Sequence, residues 1–87
     1  MTARVLGVLA AFSADRPELT LTEISRKAGL PLTTTHRIVG ELTAWGALER
    51  VDGRYRIGLR LWEVGALAPR GLGLRESAMP FLEDLYE

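Results

Sequence analysis

Val5, Leu6, Val8, Leu9 and Phe12 recur at helical spacing and give residues 3–13 a single apolar face. The run Asp15-Arg16-Pro17-Glu18 then breaks the pattern. Thr20 and Glu23 follow at the spacing at which each side chain satisfies the other's backbone N–H at a helix start. Leu19 and Ile24 flank them where a hydrophobic staple forms. The second helix so begun is short, because Gly29 stops it after Ala28 and Pro31 cannot continue it. A third helix is predicted over residues 32–45, ended by Gly46. At about 100° per residue, Thr35, Ile38, Val39, Leu42 and Trp45 gather on one side of it. Thr33, His36, Arg37, Gly40 and Ala44 gather on the other, which is polar and lined with small residues.

The period then changes from helical to alternating. Residues 48–51 and 54–57 are short strand-like runs joined by Asp52-Gly53, a pair favoured in the tight type I′ hairpin turn. Alternation sends Tyr55 and Ile57 to one face and Arg54 and Arg56 to the other. Leu59, Trp62 and Ala66 suggest a further helix within 58–68, closed by Pro69, and both Trp45 and Trp62 are expected in the core. Residues 69–73 form a hinge by composition. Beyond it, Leu74, Ala78, Phe81, Leu82 and Leu85 mark the start of another amphipathic helix, kinked at Pro80. The expected fold is mainly α with a small β-hairpin, a winged helix-turn-helix over residues 1–68. Residues 69–87 are expected to be the hinge and the truncated start of a linker helix.

Composition narrows the function. At 87 residues there is room for one small domain, and 47% hydrophobic with 25% charged residues is the make-up of a folded one. There is no cysteine and only one histidine, so no metal site and no cofactor are expected. No carboxylate has the partner or pocket that acid–base chemistry needs, which argues against an enzyme. No apolar run is long enough to span a membrane, and the N-terminal stretch reads as a core helix rather than a signal peptide. Net charge is zero, but it is unevenly spread. Residues 1–60 carry nine basic and six acidic side chains, and residues 61–87 carry two and five. Any polyanion partner therefore belongs to the first two-thirds.

Two helices joined by a tight turn at Ala28-Gly29-Leu30-Pro31, the second polar outside and followed by a hairpin, form a helix-turn-helix with a wing. Leu21, Ile24, Ala28, Leu30, Thr35 and Ile38 are the positions that lock the two helices together. Thr35 is tolerated there because its methyl packs and its hydroxyl bonds back to a carbonyl one turn earlier. The outer face suits the major groove of DNA, with Thr33, Thr34, His36 and Arg37 meeting the base edges first. Gly40 lets a backbone approach closely, and the free N–H groups near Thr33 and Thr34 favour a phosphate. On the wing, Arg54 and Arg56, with Arg50 nearby, are placed to reach the minor groove or the DNA backbone. Plainer roles compete: a solvated His36, an ion pair between Arg37 and Glu41, and arginines that merely keep an edge strand soluble. A winged-helix module that docks protein instead of DNA is the alternative function.

The stretches Leu19-Thr20-Leu21-Thr22-Glu23-Ile24 and Gly29-Leu30-Pro31-Leu32-Thr33-Thr34-Thr35-His36-Arg37 carry a family likeness, as do Tyr55-Arg56-Ile57-Gly58, Leu61 and Gly65. Through them the chain resembles the N-terminal domain of the IclR family of bacterial transcription regulators. The resemblance implies a cytoplasmic repressor or activator that binds a palindromic operator in double-stranded DNA as a homodimer. It also implies a linker helix leading to a C-terminal domain, absent from this chain, where a small-molecule effector binds. Leu74, Phe81, Leu82 and Leu85 are then the candidate dimerisation face, together with the first helix. The family usually has a basic residue where Leu32 stands, so one phosphate contact is missing from this chain.

Overall fold

The structure is a computed structural model and describes residues 1–69. The predicted linker helix with Leu74, Phe81, Leu82 and Leu85, and residues 70–73 of the hinge before it, lie outside the described residues.

Helix α1 (Thr2–Ala10) buries Val8 on the apolar face predicted for it. It ends three residues before the predicted boundary, because Ala11 and Phe12 donate to Val8 and Leu9, three positions back, and so tighten the last turn. Helix α2 (Leu21–Ala28) begins at a complete capping box. The Glu23 N–H donates to Thr20 Oγ1 at 3.2 Å, and the Thr20 N–H donates to Glu23 Oε1 at 2.8 Å. It ends at Gly29, whose φ of 69° is the left-handed value that a side chain would resist. The Ser25 hydroxyl ties the turn by donating to the Leu30 carbonyl at 2.6 Å. Helix α3 spans Leu32–Trp45, as predicted, and stops at Gly46.

Strands β1 (Leu48–Val51) and β2 (Arg54–Ile57) pair antiparallel in the register Leu48 with Ile57 and Val51 with Arg54. Asp52 and Gly53 both have positive φ, the signature of a type I′ turn. A link unforeseen from the sequence ties the segment before α2 to this two-stranded sheet. Leu19 forms a bridge with Tyr55, its N–H donating to the Tyr55 carbonyl at 3.0 Å and its carbonyl accepting from the Tyr55 N–H at 2.7 Å. The residue placed as a helix staple thus also makes an isolated bridge to β2. It binds the wing to the start of α2.

The core lies where α1, α2, α3 and the base of the hairpin meet. Val8, Ala11, Leu19, Ile24, Ile38, Val39 and Leu48 form its buried cluster, with Val5, Leu9, Phe12, Leu21, Ala28, Leu30, Leu42 and Tyr55 packed around it. Thr35 is buried among them, and its hydroxyl donates to the Pro31 carbonyl at 3.0 Å, the back-bond expected of it.

Helix α4 (Leu59–Gly65) starts immediately after Gly58, which is buried and donates to the Ala47 carbonyl at 2.8 Å. A Cβ at Gly58 would stand 2.2 Å from the Gly46 carbonyl oxygen, so only glycine allows the hairpin's exit to cross the end of α3. Both tryptophans depart from expectation. Trp45 is 43% exposed and Trp62 64%, so neither is a core residue. Trp45 caps the outer end of α3, with the Arg60 guanidinium 4.2 Å above its ring. Trp62 lies on the solvent side of α4 with Leu59, while Leu61 is the residue turned partly inward. Seven residues of helix contain too few turns for apolar periodicity to reveal which face packs.

Candidate nucleic-acid interface

One face of α3 is locked and the other is open. Thr35, Ile38 and Val39 are buried, whereas Thr33, His36, Arg37 and Gly40 are exposed and Thr34 is half-buried. Burial of one side fixes the rotation of the helix about its axis. The polar side must therefore face outward.

The two helices of the turn differ at their N-termini. At α2 the first N–H groups are met by Thr20 and Glu23, so the positive end of the helix dipole is already compensated. At α3 the preceding residue is Pro31, no side chain caps the helix, and its first turn contains no acidic residue. The N–H groups of Leu32, Thr33 and Thr34 therefore lack intrahelical acceptors and point along the axis. An uncompensated helix start of this kind attracts phosphate. Leu32, 49% exposed, stands at the same end and offers methyl groups to whatever the helix meets.

Arg37 rises from the open face one turn further on. Three ion pairs form among the described residues, and none involves Arg37 or Glu41. The competing helix-surface pair is thus not formed, and the guanidinium projects from the same face as His36. Gly40 lies deeper along this face, with ordinary helical backbone and nothing within 4 Å of where a Cβ would stand.

The wing divides its arginines. Cross-strand register places Arg50 with Leu48, Tyr55 and Ile57 on one face, and Arg54 and Arg56 with Glu49 and Val51 on the other. All three are exposed, but they do not form a single patch. Arg54 stands 3.9 Å from Glu23, which also pairs with Arg16 at 2.7 Å. The Arg56 Nε–H donates to Glu49 Oε1 at 3.1 Å, and the other oxygen of Glu49 accepts from the Leu59 N–H at 3.0 Å. The N–H of Thr20 holds the Glu23 carboxyl below its ordinary pKa against the opposing effect of desolvation, with Arg16 adding to the lowering. The Leu59 N–H, followed by Arg56, does the same for Glu49. Both carboxylates stay charged where the wing needs them.

Comparison with known proteins meets this geometry at the helix-turn-helix itself, since the IclR helix-turn-helix domain matches residues 2–52. The chain belongs to the IclR family. That match runs from α1 to the turn of the hairpin and takes in the whole of α3. The IclR-type domain is 39% identical over 71 residues to the HTH-type transcriptional regulator KipR of Bacillus subtilis, covering 80% of this chain and 28% of that protein. Among solved structures, an IclR homolog from Microbacterium sp. strain HM58-2 superposes with a TM-score of 0.76 at 45% identity, over 85% of this chain and 32% of the other. Another, from Microbacterium hydrocarbonoxydans in complex with 4-hydroxybenzoate, gives 0.70 at 49% identity, over 80% and 28%. The chain therefore spans less than a third of the length of each of these relatives. Their likeness makes the fold a winged helix-turn-helix.

Viewed as an IclR-type domain, the structure brings forward two further cations. Arg26 and Lys27 are exposed in the last turn of α2, just before the turn into α3. In a helix-turn-helix the first helix crosses the DNA backbone, so basic residues at that end were a readable signal for phosphate contact.

Proposed function

We propose that this domain binds double-stranded operator DNA, with α3 lying in the major groove and the wing reaching the adjoining backbone or minor groove. One observation carries the proposal. The helix whose inner side is locked into the core presents Thr33, His36 and unpaired Arg37 outward, beside an uncapped N-terminus. Thr33 and Thr34 with the free N–H groups hold a phosphate, and His36 and Arg37 read base edges. Gly40 gives the groove wall room, and Arg50, Arg54 and Arg56 supply the wing contacts. Membership of the IclR family favours DNA over a protein as the partner of this face.

The whole regulator, in this proposal, is a cytoplasmic homodimer that recognises a palindromic site and performs no catalysis. Two-fold symmetry sets its half-sites one or more helical turns apart. A small-molecule effector controls it from a separate domain, a view supported by the 4-hydroxybenzoate in the Microbacterium hydrocarbonoxydans relative.

Selection of bound duplexes from a random library, followed by titration of the enriched site over a salt series, tests the proposal. Affinity falls steeply with salt, and Arg37→Ala weakens the enriched site by about 1–3 kcal/mol while affecting unrelated duplex less. Equal loss on every sequence would remove Arg37 from base reading. No enrichment at all would remove the function.

A further inference from the structure

A DNA-binding domain in a chain of zero net charge raises the question of what its basic side chains do before DNA arrives. On the outer face of the wing each arginine is already matched to a carboxylate. Arg56 pairs with Glu49 directly across the hairpin, and Arg54 approaches Glu23 at the start of α2. Neither carboxylate is a loose surface group. Glu49 is pinned on its other oxygen by the first N–H of α4, and Glu23 by the Thr20 N–H and by Arg16.

We propose that Glu49 and Glu23 act as internal competitors of phosphate, restraining the wing arginines Arg56 and Arg54 from binding DNA indiscriminately. The inference rests on the operator-binding function and concerns how that function is kept selective. An arginine cannot shed its charge, so only a nearby anion can neutralise it. Surface ion pairs are usually weak because two flexible chains must be ordered together. Here the carboxylate partner is held in place by a second, independent bond, which lowers that cost. Sequence-independent affinity comes from cations that displace the counterions of phosphate, and an arginine already paired displaces fewer. Discrimination is then left to α3, whose Arg37 is unpaired.

Glutamine separates this role from a merely structural one. At position 23 it preserves the capping box, and at position 49 it still accepts from the Leu59 N–H. Only the charge is lost. The test measures binding of a labelled mixed-sequence duplex to the 87-residue chain across a salt series, with urea midpoints recorded for every variant. Glu49→Gln is expected to bind at low salt about three- to tenfold tighter, with a log–log salt slope steeper by about 0.9. That gain disappears when Arg56→Ala is combined with it. A gain of equal size in the Arg56→Ala background is a long-range field effect and overturns the proposal, as does a Glu49→Gln variant that binds no tighter. Should Glu49→Gln prove unfolded, Glu23→Gln decides by the same criteria, with and without Arg54→Ala, in an Arg16→Ala background that removes the other cation Glu23 holds. If the unaltered chain binds no duplex, the operator function itself falls, which is a different outcome from a chain that binds and does not respond to these changes.

Discussion

Gly40 gives a prediction in which stability and function move in opposite directions. The residue lies inside α3, is exposed, and has no positive φ to justify glycine. A Cβ placed on it meets nothing within 4 Å. Gly40→Ala therefore introduces no clash in the free protein and removes the conformational penalty of glycine in a helix, about 0.8–1 kcal/mol. In a domain of this size that raises the unfolding temperature by roughly 4–8 °C. If α3 lies in the major groove, the new methyl occupies space that the groove wall needs. A close-packed surface resists an added carbon by about 1–3 kcal/mol, which is about five- to 150-fold in affinity for the selected operator. Gly7→Ala is the control, because Gly7 is also helical with open space around a Cβ but sits on α1. It should stabilise similarly and leave the affinity of a single domain for a half-site unchanged. Thermal unfolding and duplex titration of the two variants side by side decide the matter. A Gly40→Ala protein that is more stable and binds its operator as well as before would refute the placement of this face against DNA.

Gly58→Ala is expected to destabilise strongly, since its Cβ would stand 2.2 Å from the Gly46 oxygen and 3.1 Å from the Ala47 carbonyl carbon, both backbone atoms that cannot rotate away. The loss should reach or exceed the about 1–3 kcal/mol typical of overpacking, and a urea midpoint equal to that of the unaltered chain would contradict the crossing. The pH dependence follows from Glu23 and Glu49, whose folded pKa values lie below the ordinary 4.5. As pH falls, the unfolded chain takes up protons first, so the stability these two groups contribute is complete above about pH 5 and declines as pH drops through the lowered values. The Glu23→Gln/Glu49→Gln double variant should show a shallower decline in acid urea titrations, and an unchanged profile would remove both groups from the account.

Most of the fold was legible because its signals are local. The capping box at Thr20 and Glu23, the glycines that end α2 and α3, and the Asp52-Gly53 turn each act within four residues of the chain. Short-range sterics and hydrogen bonding decide such features wherever they occur. The exposed side of α3 was legible for the same reason, since burial of Thr35, Ile38 and Val39 is written in the spacing of residues on one helix.

What only the tertiary structure decided involves residues far apart in sequence. The bridge from Leu19 to Tyr55 joins the wing to the start of α2, and Gly58 earns its place from Gly46 and Ala47, which belong to another turn of the chain. Hydrophobicity placed Trp45 and Trp62 inside, but the core fills without them, and the space left for each is at the surface beside Arg60 or solvent. The wing arginines were visible as charges, whereas their carboxylate partners were not. Arg54 meets Glu23 only because the folded sheet brings β2 beside α2, and the second bond of Glu49 exists only because α4 starts where its carboxylate ends. Periodicity shows which way a side chain leaves its own helix or strand. What it meets there depends on how the elements pack.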